Sequence, residues 1–252
     1  MDESLNRQLK YLGLNVLSQT WDSVMKDVMT KKPSYHSFLQ SVVEREYLAK
    51  TEKARQARIK RAKIPEIFVL ETFPFNRQPK LDRKRVRELH DDMVFMREKQ
   101  NLIFIGPTGC GKTGLATSFL VQAISKGYRG LFIDFNHLIN RLFQARGDRT
   151  EERLVCRLAS IDVLLIDELG YISCNREQAS LFFDLMRRRT NKSTTIITTQ
   201  LGFDEWGNFL HDPHITAALL DRITVNCNVF NMKHCISIRP KKIQNMTSTE
   251  KD

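Results

Sequence analysis

Three glycines, at 106, 109 and 111, precede Lys112 and Thr113 in a spacing that fills every fixed position of GxxxxGK[ST]. Glycines let successive backbone N–H groups curl around an anion, and a helix that starts there adds the partial positive charge of its N-terminus. The chemistry is phosphate binding. Gly106, Pro107, Thr108, Gly109, Cys110, Gly111 and Gly114 frame the loop, Lys112 suits the β- and γ-phosphates of a nucleotide, and the Thr113 hydroxyl suits a Mg²⁺ ligand. A second constellation lies about fifty residues on. Leu164-Leu165-Ile166 is an apolar run that ends in Asp167 and Glu168. Asp167 suits a Mg²⁺ held through water, and Glu168 suits a group that polarises an attacking water.

These residues need strands and helices at fixed places. Short apolar runs at 101–105, 130–135, 162–166, 194–199 and 225–230 predict strands, with helical stretches between them and Gly, Asn or Asp at the joins. Strand–helix alternation predicts a three-layer α/β unit, a P-loop core around a parallel five-stranded sheet. Before it, Leu5, Leu9, Leu12 and Val16 share one helical face, punctuated at Ser18 or Thr20, and a second helix runs from an N-cap at Ser34 towards Pro65. The expected organisation is a small all-helical N-terminal domain (1–66), a linker and charged entry helix (67–100, the helix at 82–97), an ATPase core (101–240) and a polar tail (241–252).

Composition sets the class. The chain has 252 residues, 41% hydrophobic and 27% charged, which is enough apolar material for a real core and excludes a disordered or disulfide-stapled mini-fold. Forty Lys and Arg against 29 Asp and Glu leave a net charge of +11, which points to an anionic partner such as nucleic acid or an acidic membrane surface. No apolar run is long enough to span a bilayer, and Met1-Asp2-Glu3-Ser4 does not resemble a signal peptide, so the expected location is the cytoplasm. Five scattered cysteines without a CxxC pair read as reduced thiols.

Several P-loop classes fall away. Asn191-Lys192-Ser193-Thr194 lacks the Asp of a guanine-reading motif, there is no LSGGQ-like stretch, and Asp167-Glu168-Leu169-Gly170 is not a helicase box. Thr198-Thr199-Gln200 ends a strand at a polar tip, the position of sensor 1 in the AAA+ class. Leu219-Leu220-Asp221-Arg222 puts an arginine on a helix where it reaches a neighbouring subunit's γ-phosphate, and Arg239 falls at a sensor-2-like position.

With Gly106–Thr113, Leu164–Gly170, Thr198–Trp206 and Leu219–Ile223 in place, the chain resembles the IstB family of transposition helper ATPases, which sit beside the DnaC helicase loaders in the AAA+ initiator clade. The family usually has Asn where this chain has Gln200. Only thirteen residues follow Arg239, too few for a helical lid domain, a truncation shared by IstB and DnaC proteins. The resemblance implies an ATP-dependent homo-oligomer, a ring or helical filament with ATP at the subunit interfaces. It would bind duplex target DNA and recruit or stimulate a transposase, with Glu168, Lys112, Gln200 and Arg222 as catalytic residues.

For DNA, the densest positive run is Lys50, Lys53, Arg55, Arg58, Lys60, Arg61 and Lys63. The same run also suits a solvated helix or a transposase-docking face. Lys80, Arg83, Lys84, Arg85 and Arg87, or Arg187-Arg188-Arg189, form a second candidate, and Arg188 or Arg189 is an alternative contact to a neighbour's nucleotide. Phe73 and Phe75 are expected near the adenine or in the core, and Trp206 as a turn anchor. No base-reading motif is present, so little sequence preference is expected. The rival functions are a helicase loader, which shares every nucleotide-site residue, and a P-loop kinase, which the charge and the basic helical region oppose.

Overall fold

The computed structural model describes residues 1–238, so Arg239 and the polar tail lie outside the described residues. The chain forms two compact units, Met1–Arg58 and Ile59–Asp252. The first is helical: α1 (Glu3–Tyr11), α2 (Asn15–Lys31) and most of α3 (Tyr35–Arg61). The apolar stripe from Leu5 to Val16 does not form one helix. Gly13 adopts φ +71°, a left-handed conformation that suits a residue without Cβ, and it separates α1 from α2. Ser18 and Thr20 consequently fall inside α2, where Ser18 donates to Asn6 Oδ1 (2.6 Å) and Thr20 donates back to Val16 O (2.8 Å). Ser34 Oγ accepts the Ser37 N–H at 3.3 Å, the bond expected of an N-cap.

The second unit begins with the end of α3 and an irregular linker carrying two short 3-10 turns, Leu70–Thr72 and Phe75–Arg77. The charged helix expected over 82–97 is two helices, α4 (Arg83–Asp92) and α5 (Val94–Arg97). Asp82 caps α4 by accepting the Arg85 N–H (3.0 Å). Met93 breaks the run with φ +54°, and the turn delivers Met93, Phe95 and Met96 to the core.

Five parallel strands follow: β1 (Asn101–Ile105), β2 (Gly130–Asp134), β3 (Val163–Leu169), β4 (Thr194–Thr199) and β5 (Cys227–Asn231), in the order β2-β3-β4-β1-β5. Between them run α6 (Lys112–Ser125), α7 (Phe135–Gly147), α8 (Glu151–Ala159), α9 (Arg176–Arg189), α10 (Trp206–Leu210) and α11 (Pro213–Thr224). Side chains alternate across the pleat, so each central strand feeds two cores. Ile103, Ile105, Leu164, Ile166 and Ile197 pack with α7 to α11 on one face. Leu102, Phe104, Val163, Leu165 and Ile196 pack with α4, α5 and α6 on the other. This is the three-layer α/β architecture the sequence pattern implies. Among the described residues nothing after β5 is helical. The carboxyl ends of β1, β4 and β3 lie side by side, and ligands bind at such strand ends in open α/β sheets.

Candidate nucleotide site

A cavity of about 590 Å³ opens at those strand ends, lined entirely by residues of the second unit. One side is the loop between β1 and α6. Gly109 and Gly111 take φ +82° and +97°, so the loop turns where a side chain would be strained. A Cβ on Gly111 would also lie 2.8 Å from the Phe73 ring. Gly106 is the close-approach glycine, since a Cβ there would meet Met232 at 2.8 Å. Gly114 faces Phe68, while Pro107 and Thr108 are exposed at the rim. Cys110 differs from its neighbours: its thiol is fully buried in the core beneath the loop, and burial pushes its pKa up.

Lys112 opens α6, and its Nζ donates to the carbonyls of Gly106 (2.7 Å) and Pro107 (2.9 Å). Thr113 Oγ1 donates to the Asp167 carboxylate at 3.0 and 3.3 Å. The loop and the end of β3, 54 residues apart, are therefore in direct contact. Burial pushes the Asp167 carboxyl above its usual range. The hydroxyls of Thr198 and Thr113 pull it back, the charge of Asp134 opposes them, and Lys112 assists.

Glu168 owes its position to a bulge. Ile166 pairs with Ile197, yet Leu169 pairs with Thr199, so β3 carries one more residue than β4 over the same stretch. Glu168 takes φ +57°, and its exposed side chain lines the cavity beside buried Asp167. Thr198 was expected only as part of a polar tip, but it joins the two acids. Its hydroxyl donates to Asp167 Oδ1 (2.5 Å) and accepts the Glu168 N–H (3.0 Å). Its place one residue inside β4, opposite the bulge, is a register effect that spacing alone does not reveal. Gln200 lines the same cavity, and its Oε1 accepts from Thr108 Oγ1 at 3.4 Å.

The opposite wall comes from the linker: Glu66, Phe68, Val69, Thr72 and Phe73. Phe75 turns into the core instead, edge-on to Phe73 at 4.9 Å and beneath the guanidinium groups of Arg83 and Arg87. Trp206 is fully buried in the other core.

Arg222 does not line this cavity. It sits in the last turn of α11, donating to Ala218 O (2.7 Å) with its guanidinium 4.8 Å from the Phe183 ring centroid. Arg189 is excluded as a surface contact of any kind. It is 1% exposed and bonds to Leu158 O, Ile161 O, Thr194 O and Thr195 Oγ1, tying α8, α9 and β4 together. Burial lowers its pKa to about 9. Arg188 is held by Glu152 (2.6 Å) and Asp184 (2.8 Å). Of the basic run, Lys50, Lys53, Lys60, Arg61 and Lys63 are exposed, Arg55 is paired with Glu52 at 2.7 Å, and Arg58 is half-buried.

The IstB-like ATP-binding protein model matches residues 7–245, nearly the whole chain. The chain belongs to that family. An insertion sequence IS21 ATP-binding protein of Pseudomonas aeruginosa is 36% identical over 89% of this chain and 84% of its own. An insertion sequence IS5376 ATP-binding protein of Geobacillus stearothermophilus is 33% identical over 97% of both. Among solved structures, DnaI superposes with a TM-score of 0.57 at 16% identity, over 66% of this chain and 91% of that one. AMPPCP-bound DnaA from Aquifex aeolicus gives 0.55 at 16% identity, over 68% and 51%. These likenesses are of fold. This IstB-family chain is an ATP-binding ATPase that carries the GxxxxGK[ST] sequence at Gly106–Thr113.

Mg²⁺ fits the donors present. Thr113 and Asp167 bring hard oxygens together at the cavity, and a cation would offset the buried carboxylate charge. Among the described residues no three His, Cys, Asp or Glu side chains converge. A site completed by substrate phosphates and water needs no such cluster. Among the described residues, too, no helix is long and apolar enough to cross a membrane.

Proposed function

We propose that this IstB-family protein is an ATP-hydrolysing helper of DNA transposition, which assembles on duplex DNA and recruits or stimulates a transposase. The observation that carries the hydrolytic part is the bulge that sets Glu168 into the cavity next to an Asp167 bonded to the phosphate loop. The transposition part rests on relatives that are insertion sequence ATP-binding proteins and match over most of their length. That coverage favours a transposition helper over a helicase loader.

In this mechanism the loop N–H groups, the start of α6 and Lys112 neutralise the triphosphate. Thr113 and Asp167 would hold Mg²⁺, which would supply positive charge against the phosphates. Glu168 accepts the proton of the attacking water, and Gln200 orients that water. Thr198 fixes both acids. Attack is in line on the γ-phosphorus, with no covalent intermediate. Arg222, supplied by a neighbouring subunit, completes the site, so ATP favours a head-to-tail ring or filament and hydrolysis loosens it. Arg239 would act beside the same phosphates. Lys50, Lys53, Arg55, Arg58, Lys60, Arg61 and Lys63 contact DNA phosphates, each neutralised phosphate adding about 0.9 to the salt slope of binding.

Sedimentation with long duplex DNA tests this reading. A large complex is expected with ATP and is absent with ADP. Complexes that form only on single strands, or only with a replicative helicase, would replace this function with helicase loading.

A further inference from the structure

Gln78 is 1% exposed, and a carboxamide sealed from water is costly unless its donors and acceptor are paired. Its side-chain partners are all main-chain groups. Nε2 donates to Cys110 O at 3.0 Å and to Ile236 O at 2.6 Å, and Oε1 accepts the Ile236 N–H at 3.1 Å. Two carbonyls and one N–H admit a single orientation of the amide. The side chain thus ties together the linker, the phosphate loop and the segment after β5, which are 32 and 158 residues apart in sequence.

Two more bonds run along the same seam. The Ile238 N–H donates to Gly109 O at 2.9 Å, and Arg77 Nη1 donates to Ile238 O at 3.3 Å. The Ile238 side chain lines the cavity, 3.0 Å from where a Cβ on Gly111 would stand. Local sequence prepares the position. Pro79 disfavours helical backbone at Gln78, which takes φ −129° and ψ 60° and ends the turn at Phe75–Arg77. An aliphatic side chain of similar size would fill the space without desolvating an amide, so packing alone does not explain glutamine here.

We propose that Gln78 is a positioning residue of the nucleotide site, coupling the shape of the phosphate loop to the placement of residues 236–238. The proposal rests on the loop being the ATP site. Gln78 touches no reacting atom and acts through the carbonyls of Cys110 and Ile236. Nucleotide phosphates that order the loop tighten the 236–238 segment, and that segment in turn holds the loop in its binding shape.

The test uses the full chain with a fluorescent ATP analogue and amide hydrogen exchange. Gln78→Met keeps the volume and removes all three bonds. Gln78→Glu keeps the acceptor and sets a carboxylate against two carbonyls. Lys112→Ala serves as the control for the site itself. In the wild type, the analogue is expected to slow exchange at Ile236 and Ile238. In Gln78→Met that response disappears and affinity falls about tenfold, with a larger loss in Gln78→Glu. Wild-type exchange at these two amides that ignores the nucleotide overturns the coupling without recourse to any variant. Wild-type affinity and exchange response in folded Gln78→Met, with Lys112→Ala unable to bind, overturn the role of Gln78 and leave the ATP site standing. If Lys112→Ala binds as the wild type does, the site reading itself fails, and the proposal falls with it.

Discussion

The hydroxyl of Thr198 donates to Asp167 and accepts from the Glu168 backbone, so one side chain sets both acids of the site. Valine has the same shape without the polar atom. Thr198→Val leaves the buried Asp167 oxygen one donor short and frees the bulge to shift. Turnover is expected to fall about tenfold to a hundredfold, the range for a lost hydrogen bond to a charged group, while ATP affinity stays within about threefold. Steady-state kinetics alongside nucleotide titration separate these effects. An equal loss of affinity would make Thr198 a folding residue rather than an organiser of the acids. Gly106, Lys112, Thr113, Asp167 and Glu168 were legible in the sequence because their spacing is local. The bonds of Thr198 and Gln78 were not, because their partners lie 30 or more residues away and only strand register or chain return brings them together.

At the scale of elements, Arg189 replaces apolar packing where α9 meets β4. Its guanidinium satisfies three main-chain carbonyls and one hydroxyl in a place water does not reach. Arg189→Met would strand those acceptors and is expected to cost roughly 3 kcal/mol, a melting temperature lower by roughly 6–12 °C. Calorimetry checks this, and an unchanged melting temperature would contradict it. Three adjacent arginines in the sequence gave no sign that the third is structural, since a run of charges carries no burial signal. The strands were legible to within a few residues, because buried parallel strands are short, uninterrupted apolar runs. The breaks at Gly13 and Met93 were missed for a related reason. Apolar periodicity continues through both, and only the left-handed backbone at each divides the helix.

For the whole molecule, an arginine supplied in trans would make ATP hydrolysis a property of assembled subunits. Arg222 stands on the outer helix α11, stacked on Phe183 and away from its own cavity, which suits a group offered to a neighbour. Arg222→Ala keeps its own nucleotide site, and Lys112→Ala keeps its arginine. Each alone is expected to be inactive, with the finger worth about 10³–10⁵ in turnover, and mixing the two should restore measurable hydrolysis. A mixture no more active than its parts would place Arg222 outside the reaction.

The most direct test of the central claim is Glu168→Gln, which keeps the size of the side chain at the bulge and removes its charge and basicity. The variant is expected to bind ATP and to assemble on duplex DNA as the wild type does, while phosphate release falls to background. Phosphate release at the wild-type rate from the assembled variant would contradict the account.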